Sequence, residues 1–297
     1  MKLGIIANIQ KPKAVAAAKT FAALLQTRNL DYFFSEDLKR FLDSPEKERV
    51  LAIERLAEIC DVLATFGGDG TILSTARQVG AAGKPILGIN IGTLGFLAEV
   101  LMEEVEQTLD DLIAGRYTLI DRMALRITVE RKYLRRTFYA LNDVVVDRGP
   151  TTKLIYIDAR VNGRFLNSYR ADGLIVATPT GSTAYSLSAG GPLLMPTMNA
   201  LIVTPICPHS LSVRPIVLTD DCIVELSIRK EAEPVQINID GQNQCQLLAK
   251  ERLLVAKAEY SVKWISIGQR DFFAVLRSKL NWGSENNSSI SDSKQSK

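Results

Sequence analysis

The sequence predicts an α/β N-terminal domain built on a parallel sheet, joined to a mostly β, sandwich-like C-terminal domain. Three observations carry that expectation. Over the first hundred-odd residues, short apolar runs alternate with helical patterns, as in βαβ units. From about Tyr117 the alternation gives way to β-like runs with short links. A last apolar-periodic stretch, residues 271–282, then suggests a helix returning to the first domain. The boundaries follow as 1–116, 117–268 and 269–282, with a polar tail at 283–297 that lacks apolar anchors and is expected to be disordered.

In order, residues 3–7 suit a strand and 11–27 a helix, with Pro12 in its first turn and an alanine-rich body. Residues 32–34 suit a short strand. Ser44-Pro45-Glu46 opens a helix with Ser44 as N-cap, proline first and acid in the first turn. The apolar run 62–66 suits a buried strand, followed by a glycine turn, a helix after Thr71 and a strand at 86–89. In the second half, strands are expected at 125–129, 138–141, 154–161, 174–177, 201–204, 223–228, 235–239, 252–256 and 262–267. Asn162-Gly163 is a two-residue hairpin signal.

With 297 residues, 46% hydrophobic and 23% charged, the chain can bury real cores. A net charge of +3 and a pI near 8.6 demand neither nucleic acid nor a membrane surface. The densest basic cluster, Arg131, Lys132, Arg135 and Arg136, lies between two strand-like runs and suits a solvated hairpin tip. No segment has the length and apolarity of a membrane span or a signal peptide. Cys60, Cys207, Cys222 and Cys245 lack paired spacing, which fits reduced thiols in a cytoplasmic protein. A single histidine, His209, excludes a His-rich zinc site.

Chemistry concentrates in four stretches. Gly67-Gly68-Asp69-Gly70-Thr71 follows a strand and opens a helix, where glycines permit close approach and unusual φ, and the helix terminus favours an anion. A carboxylate beside a phosphate is costly unless it accepts a hydroxyl proton or holds a metal ion, two roles that phosphoryl transfer requires. The bland alternative is an ordinary turn with an aspartate cap. Residues 90–97 form a second glycine-rich loop on the same sheet edge, yet the dinucleotide fingerprint G-x-G-x-x-G is absent from the chain. Asn142 and Asp143 interrupt a β-like run, so their side chains are expected on opposite faces and need a network or a ligand. Residues 178–192 are dense in glycine and hydroxyls around one flat aromatic, Tyr185, suiting a polar, planar, hydroxylated ligand such as a nucleotide.

Together these stretches resemble the NAD kinase family to about Arg277. The resemblance rests on residues 67–71, 90–97, 142–143, 179–192, 205–211 with Arg214-Pro215, and Asp240-Gly241-Gln242. It implies transfer of the ATP γ-phosphoryl to the 2′-hydroxyl of the adenosine ribose of NAD, giving NADP. It also implies a divalent cation, usually Mg²⁺, and a homo-oligomer (dimer or tetramer) assembled through the C-terminal domain. By motif, Asp69 matches the family's proton acceptor. Gly70, Asn142, Asp143, Lys153, Arg170, Asp172, Thr183, Ala184, Tyr185, Ser186, Leu187, Ser188 and Gln242 match its ligand-binding positions. No side chain is assigned as a dedicated metal ligand. His209 stays open between a ligand contact and a loop histidine held by backbone groups. Two rivals, a kinase of another hydroxylated substrate such as a lipid and a non-catalytic NAD-responsive module, leave the motifs at 142–143 and 179–192, or Asp69 itself, without a purpose.

Overall fold

The computed structural model describes residues 1–92, 95–151, 153–229, 234–268 and 271–282. The first half runs β1 (Lys2–Ala7), α1 (Pro12–Thr27), β2 (Asp31–Ser35), α2 (Ser44–Lys47), β3 (Val50–Leu51), α3 (Ile53–Ile59), β4 (Val62–Gly67), α4 (Asp69–Val79), β5 (Ile86–Asn90), β6 (Val100–Leu101) and α5 (Val105–Ile113). Strands β5, β4, β1, β2 and β3 lie side by side in that order, all parallel. Every residue of β4 and β5 is buried, as a parallel sheet covered on both faces requires. Helix α1 covers one face, where Phe21 meets Phe66 at 5.2 Å between ring centroids. On the other face, Leu56 of α3 and Ile72 and Ala76 of α4 pack with Leu63 and Ile86.

The second half comprises β7 (Thr118–Arg131), β8 (Leu134–Ala140), β9 (Asp143–Asp147), β10 (Ile155–Val161), β11 (Arg164–Ala171), β12 (Gly173–Ala177), α6 (Tyr185–Ser188), β13 (Ala200–Ile206), β14 (Ile216–Thr219), β15 (Val224–Ile228), β16 (Val235–Ile239), β17 (Gln242–Leu247), β18 (Arg252–Ser266) and α7 (Phe272–Leu280). One antiparallel sheet has the order β14-β13-β12-β9-β16-β17. A second carries β11-β10-β15-β18 with β7 and β8. Alternate residues from both fill one core, Val144, Val146 and Val176 from the first meeting Ile157, Leu226 and Val255 from the second. This is the expected sandwich.

Strand β18 ties the halves together. It pairs with β15 and β7, and Trp264 then lies parallel to Ile86 of β5, so one sheet of twelve strands crosses both halves. The two strands expected at 252–256 and 262–267 are therefore one, kinked by a bulge between Lys257 and Ser261. Other expectations also shift. Asp43, not Ser44, occupies the N-cap, and the helix there lasts a single turn. Strands β11, β14 and β17 and helix α3 were not legible, the first and third because polar residues crowd them. Asn162 and Gly163 both take positive φ (51° and 77°) in the β10–β11 turn, as a type I′ hairpin demands. The basic cluster lies at the β7–β8 tip, where Arg135 pairs with Glu130. The tail at 283–297 lies outside the described residues.

Helix α7 is capped by Asp271, whose carboxylate accepts from Ala274 N at 2.8 Å, and it brings Lys279 to the carboxyl edge of the first sheet. No helix of the described residues is long and apolar enough to cross a membrane. Because Trp264 is fully buried where the two halves share a core, Trp264→Ala should cost about 3–5 kcal/mol, seen as a lowered urea midpoint for the whole chain.

Candidate active site

Parallel neighbours β4 and β5 deliver two loops to one edge of the sheet, and those loops meet at Asp69. Helix α4 begins at Asp69, three residues earlier than expected, with Gly68 at its N-cap. The carboxylate accepts from Phe96 N at 2.9 Å and from Leu97 N at 3.1 Å, one bond to each oxygen. A Cβ on Gly95 would stand 2.0 Å from Asp69 Oδ1, so only glycine lets the loop after β5 approach this closely. The expectation that glycines in the 67–70 turn take forbidden φ is not met, since none of the three has positive φ. Close packing is the requirement at Gly67 alone, where a Cβ would fall 2.2 Å from Thr71 Oγ1, while Gly70 has open space around that position.

The first turns of α4 border three cavities. Asp69 faces one of about 510 Å³, edged by Lys11, Lys13, Gly68, Gly92 and Lys279. Lys11 Nζ reaches within 3.9 Å of the position a Cβ on Gly68 would take. Leu73, one helical turn beyond Asp69 and on the same helix face, borders a second cavity of about 340 Å³ shared with Asn142, Asp143, Asp147, Tyr185 and Asp240. Gly70 and Ser74, on the adjoining face, border a third of about 480 Å³ that also touches Gln242. The charge divides sharply. Three ammonium groups surround the Asp69 cavity, while carboxylates line the second.

That second cavity is organised by Asp240. Its backbone is left-handed (φ 47°), and its carboxylate accepts from the amides of Leu141, Asn142 and Asp143 at 2.8–3.2 Å. Burial raises its pKa, opposed by those amides and by Arg77 of α4. Burial, then the neighbouring Asp240, pushes the Asp143 carboxyl up to about 7. Burial and the surrounding Asp147, Cys207, Asp172 and Asp143 raise the Tyr185 phenol as well. Asn142 precedes β9 rather than lying within it, so it and Asp143 border the same cavity; the expected split to opposite faces is corrected.

Asp69, Gly70, Asn142, Asp143, Ala184, Tyr185 and Gln242 thus gather around α4. The remaining candidates do not line these three cavities. Asp172 is paired with Arg148 at 2.8 Å, and the Arg170 guanidinium lies 5.8 Å from the Tyr156 ring centroid. Lys153 and Ser188 are exposed, and Leu187 is half-buried. Thr183 Oγ1 donates to Thr180 O at 3.2 Å, and Ser186 Oγ is buried 2.9 Å from Thr204 Oγ1. His209 is exposed, its backbone N–H donating to Arg170 O at 2.9 Å. Sequence reasoning missed Lys11, Lys13, Lys279 and Gly95. Lys11 and Lys13 were within reach of it, since the segment after β1 belongs to the ligand edge of such a sheet.

Comparison with known proteins bears on this arrangement. Residues 3–117 match the ATP-NAD kinase N-terminal domain and residues 141–267 the ATP-NAD kinase C-terminal domain. The chain is 40% identical over 290 residues to the NAD kinase of Bacteroides fragilis, covering 96% of this chain and 99% of that one. Its fold superposes on yeast NADH kinase, solved in complex with NADH, with a TM-score of 0.84 and 28% identity over 97% of this chain and 88% of that one. An NAD kinase from Archaeoglobus fulgidus, solved with ATP, shares the fold at a TM-score of 0.73 and 24% identity, over 95% and 99% of the two chains.

Two outcomes follow from the packing and the charge. Gly95→Ala should destabilise the protein by roughly 1–3 kcal/mol through the clash with Asp69, whereas Gly92→Ala, whose Cβ would meet only Asn90 Oδ1 at an ordinary 3.9 Å, should stay within about 0.5 kcal/mol in the same thermal melts. The raised Asp143 pKa means that the folded state holds a proton the unfolded chain releases, so its contribution is present below about pH 4 and lost as pH climbs to about 7. Asp143→Asn should therefore gain stability over the parent at pH 8 relative to pH 4, measured by urea unfolding at both.

Proposed function

The chain belongs to the NAD kinase family and phosphorylates NAD to NADP with ATP as donor; from that premise we propose that Asp69 receives the 2′-hydroxyl of the adenosine ribose. The observation that carries the assignment is the position of Asp69 at the lip of a lysine-edged cavity, one helical turn from the cavity of Asn142, Asp143 and Tyr185. Phosphate oxygens belong among Lys11, Lys13 and Lys279. The adenosine of NAD belongs beside Tyr185, with Asn142 and Asp143 toward its polar edges. Neighbouring positions on one helix face are about 5–6 Å apart at Cβ, the reach of a ribose between the two.

A sugar hydroxyl is a weak nucleophile, so it must be aimed in line with the phosphorus and relieved of its proton as the bond forms. Each oxygen of Asp69 spends one lone pair on a backbone amide and keeps another for that hydroxyl. The two amides fix the carboxylate's direction, which is the preorganisation the reaction needs. Gly70 and Gln242 border the next cavity on α4 and are assigned to ligand binding with Ala184. Lys153, Arg170, Asp172, Thr183, Ser186, Leu187 and Ser188 keep that assignment from their motif positions alone. The protein acts in the cytoplasm, and its homo-oligomer forms through the C-terminal half; both follow the family pattern.

A divalent cation is also part of this reading. Among the described residues no three His, Cys, Asp or Glu side chains converge on one point, and Asp69 is the single carboxylate bordering the lysine-edged cavity. That donor set fits Mg²⁺, which keeps waters and binds through one or two carboxylates plus substrate phosphates. Bound there, the ion would offset charge on the donor phosphates.

Incubation with ATP, Mg²⁺ and NAD should yield NADP; a lipid kinase or a non-catalytic module would yield none. Asp69→Asn should lower kcat by roughly 10²–10⁴ while calorimetric NAD binding survives, and near-normal turnover would remove Asp69 from the mechanism. Chelation with EDTA should abolish NADP formation, and excess Mg²⁺ should restore it.

A further inference from the structure

The hydroxyl-rich stretch after β12 opens with a hydroxyl that faces no cavity. Thr178 is fully buried and borders none of the three cavities around α4. Its Oγ donates to Leu141 O at 2.6 Å and accepts from Gly181 N at 3.1 Å, while its own N–H donates to Asn142 O at 2.8 Å. Strands β9 and β12 pair antiparallel with Ala177 opposite Asp143, so Thr178 lies opposite Asn142, just before β9 begins. The segments are in contact here, since a Cβ on Gly181 would stand 2.2 Å from Asn142 O. From the other direction, Asp240 holds the amides of Leu141, Asn142 and Asp143 and donates its own N–H to Asp143 O at 3.1 Å. Between them, Thr178 and Asp240 engage every backbone N–H and C=O of residues 141–143.

We propose that Thr178 is a positioning residue for NAD, its hydroxyl joining the two segments that border the cavity of Asn142 and Tyr185; this rests on reading that cavity as the NAD site. Asn142 and Asp143 border it from one segment, Ala184 and Tyr185 from the other. The Thr178 hydroxyl reaches both. Its proton holds the carbonyl that precedes Asn142, and its lone pair holds the amide of Gly181, whose carbonyl in turn accepts from Ala184 N at 2.9 Å. One oxygen thus fixes the separation between Asn142 and the turn that presents Tyr185. Threonine suits the task, because its β-branch restricts χ1 and sets the hydroxyl before any ligand arrives. A displacement of about 1 Å can cost a positioned reaction roughly a hundredfold, so this spacing matters. Ser182 provides the contrast. It is equally buried, but its Oγ accepts from Leu194 N at 3.1 Å and donates to Leu194 O at 3.3 Å, within its own stretch of chain.

Thr178→Val keeps the side-chain shape and deletes the hydroxyl, whereas Thr178→Ser keeps the hydroxyl. Ser182→Ala deletes a buried hydroxyl that does not touch the Asn142 segment. Calorimetry measures binding of NAD and of ATP, and steady-state assays give KM for each, at a temperature where thermal melts show every variant folded. Thr178→Val should weaken NAD binding and raise its KM at least about tenfold, the equivalent of one or two hydrogen bonds, with ATP binding and the ATP KM unchanged. Thr178→Ser should stay within about threefold of the parent for NAD. Ser182→Ala should lower the melting temperature and leave both affinities in place. If Thr178→Val does not fold, Thr178→Ala carries the same expectation. Unchanged NAD affinity without the hydroxyl would overturn the proposal, as would an equal loss of ATP, no rescue by serine, or the same NAD loss in Ser182→Ala. Asn142→Ala separates the underlying reading. If it weakens NAD binding and Thr178→Val does not, only the positioning role falls; if neither does, the cavity is not the NAD site and both readings fall.

Discussion

Two backbone amides holding one carboxylate set the terms for this molecule. The bonds from Phe96 and Leu97 to Asp69 cross between separate loops, and they form only where those loops are nearly in van der Waals contact. Gly95 is the consequence, since any side chain there would occupy the space of the carboxylate. The pairing of β4 with β5 is another consequence, because only adjacent parallel strands release both loops at one edge. Under the proposed mechanism, a carboxylate at a helix start, fixed by neutral donors and left with spare lone pairs, would take a hydroxyl proton without first rearranging.

Helix α4 distributes the chemistry around that carboxylate. Positions 69 and 73 face the lysine-edged and acidic cavities, while 70, 74 and 78 face a third, so the first turns of the helix divide three separate cavities by direction. The charges follow the same division, with ammonium groups gathered where phosphate would lie and carboxylates where sugars and bases would. Strand β18 keeps the arrangement rigid. By pairing with β7, β15 and β5 it makes the two halves share a sheet, and Trp264 fills the core at their junction. The three cavities around α4 are thereby carried on one scaffold.

Much of the fold was legible because its signals are local. Alternating apolar runs marked β1, β4 and β5, Pro12 marked the first turn of α1, and Asn162-Gly163 marked a hairpin whose positive φ values only such residues readily adopt. The polar strands β11 and β17 escaped, since a strand that exposes one face and binds along an edge needs little apolar periodicity. Asn142 looked like a strand residue because the capping of its amide by Asp240, 98 positions away, is invisible in a local window.

Composition and motif order by themselves determined the α/β-then-β architecture, the glycine turn carrying an acid, and the NAD kinase resemblance, because these depend on residue type and near-neighbour spacing. Only the tertiary structure decided which groups face one another: Asp69 with the amides of 96 and 97, Lys279 on the same cavity as Lys11, and Asp143 buried near Asp240, its pKa pushed up first by that burial and then by the neighbouring carboxylate. Those outcomes rest on distance and burial, and a linear sequence holds neither until the chain has packed.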